Sequence, residues 1–425
     1  MLTPRLQALT PFALVLALGL GSVGCSRKAA APPPGFALQR VPEALETRYT
    51  KLVNEGERNW VLNLNEIAVQ AMAMREPDIA ARALSESMLN INNVFGSTPE
   101  AEKARMIFFS EDVKLFKGDP YERAMTFLYR GILYMQEGDY ENARACFRQG
   151  ALQDAFAEED QNRADWVVFD YLIARCEVEL GRLGFADEAW KRADESFAGF
   201  EKKYRESVGG NLPIVDQLPQ VDLDDNLLVI CVQGRGPRKE RDGRRGQFIT
   251  YKRPMNQPGP QELAIGDKMV QSWIIDSVFF QARTRGGRPF DRVQKRKVVF
   301  KDVTSKTGDA GMIGGVVILS QADSEAEVIV GLVVLGGGLL VKLFSELIRT
   351  GADIRAWQSL PDTVSIYSGS HAGDTVTIKQ YGGTAPLAET VPLAPVGKGL
   401  TVVFSATGDA RTLLIPKAPT PRRMP

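Results

Sequence analysis

Few residues in this 425-residue sequence are placed to carry out a reaction. There is one histidine, His371, so multi-histidine metal sites are excluded. A Ser/His/acid arrangement would have to draw on it from the turn-like stretch His371-Ala372-Gly373-Asp374. Asp222, Asp224 and Asp225 crowd carboxylates together but lack the glycine and closing glutamate of a calcium loop. No GxxxxGK[ST] phosphate-binding pattern occurs. The densest basic stretch is 234–245, GRGPRKERDGRR, with six basic residues against two acidic ones. Its Arg235, Arg238, Lys239, Arg241, Arg244 and Arg245 suit an anion such as a lipid headgroup or an envelope polymer. A solvated loop loosened by its glycines accounts for them more simply. In 351–361, GADIRAWQSLP, residues Asp353, Arg355 and Trp357 alternate, so an extended backbone puts them on one face. Asp353 can then pair with Arg355 while Trp357 covers the apolar stems, giving either a recognition surface or a corner joining helix to sheet.

The cysteines fall into two groups. Arg5, the apolar run 12–20 and Ser22-Val23-Gly24-Cys25 follow the layout of a bacterial lipoprotein signal, although a leucine is usual where Ser22 stands. The run is too short for a stable membrane span. The expectation is therefore a signal peptide over 1–25, lipidation at Cys25 and contact with the membrane through acyl chains. Residues 26–41, rich in proline and alanine, read as an extended tether, with folded chain from Pro42. Cys146 and Cys176 fall on neighbouring helical hairpins and are a candidate disulfide in an oxidising compartment; with Cys231, they otherwise read as small buried thiols.

The elements that must position these residues begin with a helical half, 42–208. Candidate helices cover 42–54, 60–74, 77–95, 99–117, 123–136, 140–151, 164–180 and 185–206, with Pro77 and Pro99 at helix starts. Within 121–154, Gly131, Tyr134, Gly138, Ala143 and Phe147 resemble the tetratricopeptide (TPR) pattern, in which small residues let two antiparallel helices approach and aromatic residues fill the space between them. The usual alanine near the end of the second helix is replaced by Gly150. Ala174, Gly181, Ala186, Trp190 and Ala193 repeat the pattern 43 residues later, with the acidic stretch 154–163 inserted. The resemblance implies a TPR-like α-solenoid of antiparallel helix pairs. It also implies a concave partner-binding groove lined by Leu128, Ile132 and Gln136 from one repeat and Tyr171, Arg175 and Glu179 from the next.

A linker follows at 209–225, then a C-terminal mixed α/β domain at 226–417 and a tail at 418–425. Candidate strands are 227–232, 248–251 and 298–303, followed by 363–367, 375–381, 400–405 and 411–415, the last four suggesting a small antiparallel, sandwich-like end. The most apolar internal stretch, 328–341, is short for a membrane span and flanked by Glu325, Glu327 and Lys342, which favours a buried helix or strand-plus-helix. A membrane-inserting segment with packing glycines is the rival reading.

Ala352, Asp353, Arg355, Trp357, Leu360 and Pro361, in the pattern A-D-x-R-x-W-x-x-L-P, carry a resemblance together with two further stretches. These are GDPYERAMTFLYRGILYMQEGDYENAR at 118–144 and the strand followed by Gly236-Pro237-Arg238-Lys239-Glu240. They resemble an uncharacterised family of TPR-bearing bacterial envelope lipoproteins, a resemblance that does not extend over 268–315. It implies an outer-membrane, periplasm-facing lipoprotein that acts beside others in envelope assembly or peptidoglycan synthesis, and it offers no catalytic residue. Composition is consistent with a scaffold: 52 basic and 52 acidic residues cancel, leaving no general field to attract nucleic acid. The expectation is a non-enzymatic scaffold or adaptor that binds a protein or peptide partner, with no cofactor and no metal. The alternatives are a pore-associated subunit using 328–341 and an envelope hydrolase whose paired carboxylates are assembled only in space.

Overall fold

The computed structural model describes residues 31–94, 115–116, 118–155, 166–208, 217–243, 248–253, 261–284, 353–380, 387–395 and 399–407. The expected elements at 99–114, 298–303, 328–341 and 411–415, and Cys25, Arg244 and Arg245, lie outside them. The protein is α+β, with helices before Val208 and a curled mixed sheet after it.

The helices are α1 (Glu46–Glu55), α2 (Trp60–Ala73), α3 (Pro77–Val94), α4 (Pro120–Gln136), α5 (Tyr140–Ala155), α6 (Val167–Glu179) and α7 (Leu183–Val208). Three hairpins, α2–α3, α4–α5 and α6–α7, turn in the same way. In each, one residue adopts a left-handed conformation: Arg75 (φ 63°), Gly138 (φ 77°) and Gly181 (φ 72°). The N–H of the next residue reaches five residues back, Glu76 to Ala71 (2.9 Å), Asp139 to Tyr134 (2.9 Å) and Arg182 to Glu177 (2.8 Å), closing a Schellman motif. Two of these hairpins were legible in the sequence. The α2–α3 hairpin keeps the same offsets, with Ala68, Ala80 and Leu84 where the others have Gly131, Ala143 and Phe147, or Ala174, Ala186 and Trp190.

Small residues set the spacing within and between hairpins. A Cβ at Gly131 would lie 2.3 Å from the Phe147 ring, so glycine lets α4 and α5 close on that aromatic. A Cβ at Gly150 would lie 2.4 Å from the ring of Phe169, which belongs to α6. Gly150, the departure from the repeat pattern, is thus where the next hairpin stacks.

The seven-stranded sheet contains β1 (Leu227–Gln233), β4 (Gln261–Ile265), β5 (Lys268–Ser277), β6 (Thr363–Gly369), β7 (Thr375–Gln380), β8 (Leu387–Pro392) and β9 (Thr401–Thr407), in the order β8-β7-β4-β5-β6-β1-β9. A two-stranded ribbon, β2 (Arg238–Asp242) with β3 (Phe248–Lys252), and a short helix, α8 (Val278–Thr284), complete the described half. β1 pairs antiparallel with β6 and parallel with β9. The outer strands of the order approach one another, Ser405 Oγ on β9 donating to Glu389 Oε2 on β8 at 2.6 Å, so the sheet is nearly closed.

This corrects the expected sandwich-like end, and the reason lies in β1. Every residue of LLVICVQ is buried, so the strand must be covered on both faces. Leu228, Ile230 and Val232 pack toward the helices, whereas Leu227, Val229 and Cys231 join Leu263, Val376, Ile378 and Val403 inside the curl.

The first core runs without a break from helices to sheet. Tyr129 of α4 stands 5.8 Å from both Trp357 and Phe404, and Phe200 of α7 meets Phe280 of α8 edge-on at 5.4 Å. The expected boundary at 209–225 therefore does not separate two independent cores among the described residues: Arg175 of α6 holds the Asp222 and Asp225 carbonyls at 2.7 Å each. Folded structure also begins before Pro42, because Phe36 is buried, Leu38 N–H donates to the Tyr49 hydroxyl, and Arg82 reaches the Ala37 carbonyl.

Candidate functional site

Helices α2, α4 and α6, the first of each hairpin, are buried on nearly all sides. One flank of each meets its partner helix and the other meets the sheet and its approaches. The residues expected to line an open groove lie at this junction. Leu128, Ile132 and Tyr171 are fully buried, and Arg175 is 1 % exposed, tied to Glu179 as well as to the two carbonyls. Gln136 is exposed, and its amide donates to the Val402 carbonyl on β9 at 3.2 Å. The sequence placed these residues on one side of the helical array; the expectation that this side is open to a partner is corrected, because the chain's own sheet occupies it.

The segment 353–361 lies across the same side, with a turn at Gln358-Ser359. Asp353 and Arg355 form the expected pair, with both carboxylate oxygens within 3.0 Å of the guanidinium, and Arg355 Nη1 also donates to Asn59 Oδ1 at 2.7 Å. Trp357 is buried, its indole N–H on Ser359 Oγ at 2.9 Å. Two carboxylates clamp the backbone: Glu122 of α4 accepts from Trp357 N–H at 2.8 Å, and Glu66 of α2 accepts from Gln358 N–H at 2.7 Å and Ser359 N–H at 3.2 Å. Glu66 also pairs with Arg48. The motif's backbone and side chains are taken up by contacts within the chain, and its tryptophan is inside the protein.

Beneath this strap lies a largely buried group of three charges. Asp119 caps α4 in a capping box, and Glu122 reaches back to the Asp119 N–H at 2.7 Å. Lys239, on β2, sends its ammonium between them: Nζ is 2.6 Å from Glu122 Oε2, 2.9 Å from Asp119 Oδ2 and 3.0 Å from the Arg355 carbonyl. Tyr251, on β3, donates to Asp119 Oδ2 at 2.8 Å. The rings of Phe116 and Tyr121 stand 5.7 Å from Nζ. The side chains of Lys239 and Glu122 are 3 % and 1 % exposed. Burial opposes the Lys239 charge, but Asp119 and Glu122 outweigh it and raise its pKa. Burial pushes the Glu122 carboxyl up, and Lys239 pulls against that.

This group overturns part of the basic-loop expectation. Lys239 is not available to an external anion: its side chain is turned inward on Asp119 and Glu122, while Arg238 on the opposite face of β2 and Arg241, farther along the same face, are exposed. Arg235 is also exposed. The helix begins at Pro120, three residues before the expected start at Arg123, and the capping signal Asp119-Pro120-Tyr121-Glu122 would have placed it; no local signal points to the partnership with Lys239, since 117 residues separate Lys239 from Glu122.

The remaining candidates are quickly placed. Cys146, Cys176 and Cys231 are free and buried, and burial raises all three thiols, Cys146 to about 11. His371 is buried, its Nδ1 2.9 Å from the Gly373 carbonyl. Asp222 and Asp225 give carbonyls to Arg175, and the Asp225 carboxylate accepts from Ser368 Oγ at 2.6 Å. Among the described residues, no group of three or more His, Cys, Asp or Glu side chains is placed to hold a metal ion, and no helix is long and apolar enough to cross a membrane. Compared with protein-family models, with curated proteins and with solved structures, the chain matches none.

Proposed function

We propose that this chain is a lipid-anchored scaffold of the bacterial cell envelope, attached through acyl chains at Cys25, and that its helical half is a TPR-like array serving a protein partner. The observation that carries the non-catalytic part is the sealing of the Asp119, Glu122 and Lys239 group. Glu122 and Lys239 are closed off from solvent, Asp119 is 16 % exposed, and the three are bound to one another. The TPR-like reading is supported by three hairpins that share one turn geometry and one pattern of small residues.

With the concave side filled by the chain's own strap and sheet, partner binding falls to surfaces left exposed. The β2–β3 ribbon is one such surface: Arg235, Arg238, Arg241 and Lys252 are exposed on or next to it against Glu240 and Asp242, a basic excess that fits an acidic protein surface. The test is capture from crosslinked envelopes with the full chain, with Cys25→Ser and with Arg238→Glu/Arg241→Glu. The full chain should enrich specific envelope proteins, the serine variant should leave the membrane fraction, and the ribbon variant should lose the partners while keeping its circular dichroism. Failure of the full chain to enrich any protein over a lipidated control sinks the scaffold reading. Partners that persist with the ribbon variant move the contact elsewhere.

A further inference from the structure

The Lys239 group has the composition of a condensation site as well as of an ion cluster. An amine, a carboxyl carbon to receive it, a second carboxyl to move protons and donors for a transient oxyanion converge in one place. Lys239 Nζ is 2.9 Å from Asp119 Oδ2 and 2.6 Å from Glu122 Oε2. Tyr251 O–H and the Glu122 backbone N–H both point at the Asp119 carboxylate. Phe116 and Tyr121 line the site with aromatic carbon. Water, which would favour the free acid and amine, has little access to Lys239 and Glu122, whose side chains are 3 % and 1 % exposed, and reaches only the 16 % exposed edge of Asp119.

We propose that Lys239 and Asp119 join in an intramolecular amide, Nζ to Cγ, with Glu122 carrying the protons. The ammonium passes one proton through Glu122 to an Asp119 oxygen, leaving a neutral amine beside a neutral carboxyl group. The amine lone pair attacks Cγ, and the oxyanion is held by Tyr251 O–H and the helix-terminal N–H. Glu122 then takes a second proton from nitrogen and delivers it to the departing oxygen, which leaves as water. Both hydrogens of that water come from the ammonium, Glu122 ends as it began, and no outside reactant is needed. Two opposite charges disappear from a buried site, where keeping them desolvated is costly. The bond would tie the start of α4 to β2, fastening the helical half to the ribbon through a link that denaturant does not break.

The experiment is tryptic peptide mapping of the full purified chain, read by mass spectrometry after denaturation. The expected result is a branched peptide uniting the Asp119 and Lys239 segments, lighter by one water than their sum, with no cleavage after Lys239. Glu122→Gln should show the two linear peptides in a folded chain, and Asp119→Asn should restore the branch with loss of ammonia in place of water. Complete recovery of linear, unmodified Lys239 and Asp119 peptides from the unsubstituted chain overturns the proposal, whatever the variants do.

Discussion

Arg75 holds a left-handed backbone conformation that the other two hairpin turns give to glycine, and its side chain explains why. Its guanidinium donates to the Phe404 carbonyl on β9 at 2.9 Å and to Glu389 on β8 at 2.7 Å, binding the two outer strands of the nearly closed sheet from outside. A side chain in this conformation costs roughly 1–2 kcal/mol. Arg75→Ala keeps that cost and loses both ties, whereas Arg75→Gly loses the ties and removes the cost. Urea unfolding should find both variants destabilised, alanine about 1 kcal/mol more than glycine; equal losses would mean the turn is not strained. The thiols give a second check at this scale. Burial raises Cys146 to about 11 and the other two further, so at pH 8 each is a protonated thiol as well as shielded. Alkylation of the native protein should leave all three intact and proceed only on unfolding. Rapid native labelling of Cys146 or Cys176 would contradict their placement.

Among the elements, the hairpins were the most legible part, because small residues at fixed offsets and a glycine at the turn are local signals. The α2–α3 hairpin escaped recognition as a repeat for a local reason too, its turn glycine being Arg75. Gly150 and Gly199 separate two kinds of helical glycine. Gly150→Ala would put a methyl 2.4 Å from the Phe169 ring, which is fully buried and has no room to retreat, so a loss of about 1–3 kcal/mol is expected. Gly199 on α7 has open space around its Cβ position, so Gly199→Ala should raise stability by up to about 1 kcal/mol. Thermal melts of the pair test the stacking geometry, and a neutral Gly150→Ala would disprove it. The strands were less readable. β1, β6, β7 and β9 show apolar runs or alternation, but β2 is RKERD, a strand made of charges whose sequence reads as a solvated loop. Its extended shape comes from pairing with β3 and from Lys239 descending into the Asp119 and Glu122 pair, neither of which is a local property.

At the level of the whole molecule, the described residues of the helical array and the sheet share one core, because the side of the array that would form a groove is already covered. A fragment spanning 31–208 exposes Leu128, Tyr129, Ile132 and Tyr171 and leaves Glu66 and Glu122 without the strap they hold. It should self-associate and bind a hydrophobic dye, as judged by size-exclusion chromatography and fluorescence. A monomeric fragment with a cooperative melt would show that the two halves are independent domains after all. The sequence by itself determined what depends on neighbours along the chain: helix periodicity, the turns at Gly138 and Gly181, the capping box at Asp119, the pairing of Asp353 with Arg355 and the apolar run of β1. Only the tertiary structure decided that β1 lies between β6 and β9, that Lys239 leaves the basic loop for the interior, and that the groove is filled from within. Those outcomes depend on which buried surfaces and charges from distant segments complete one another, and a one-dimensional pattern shows that a surface must be covered without showing what covers it.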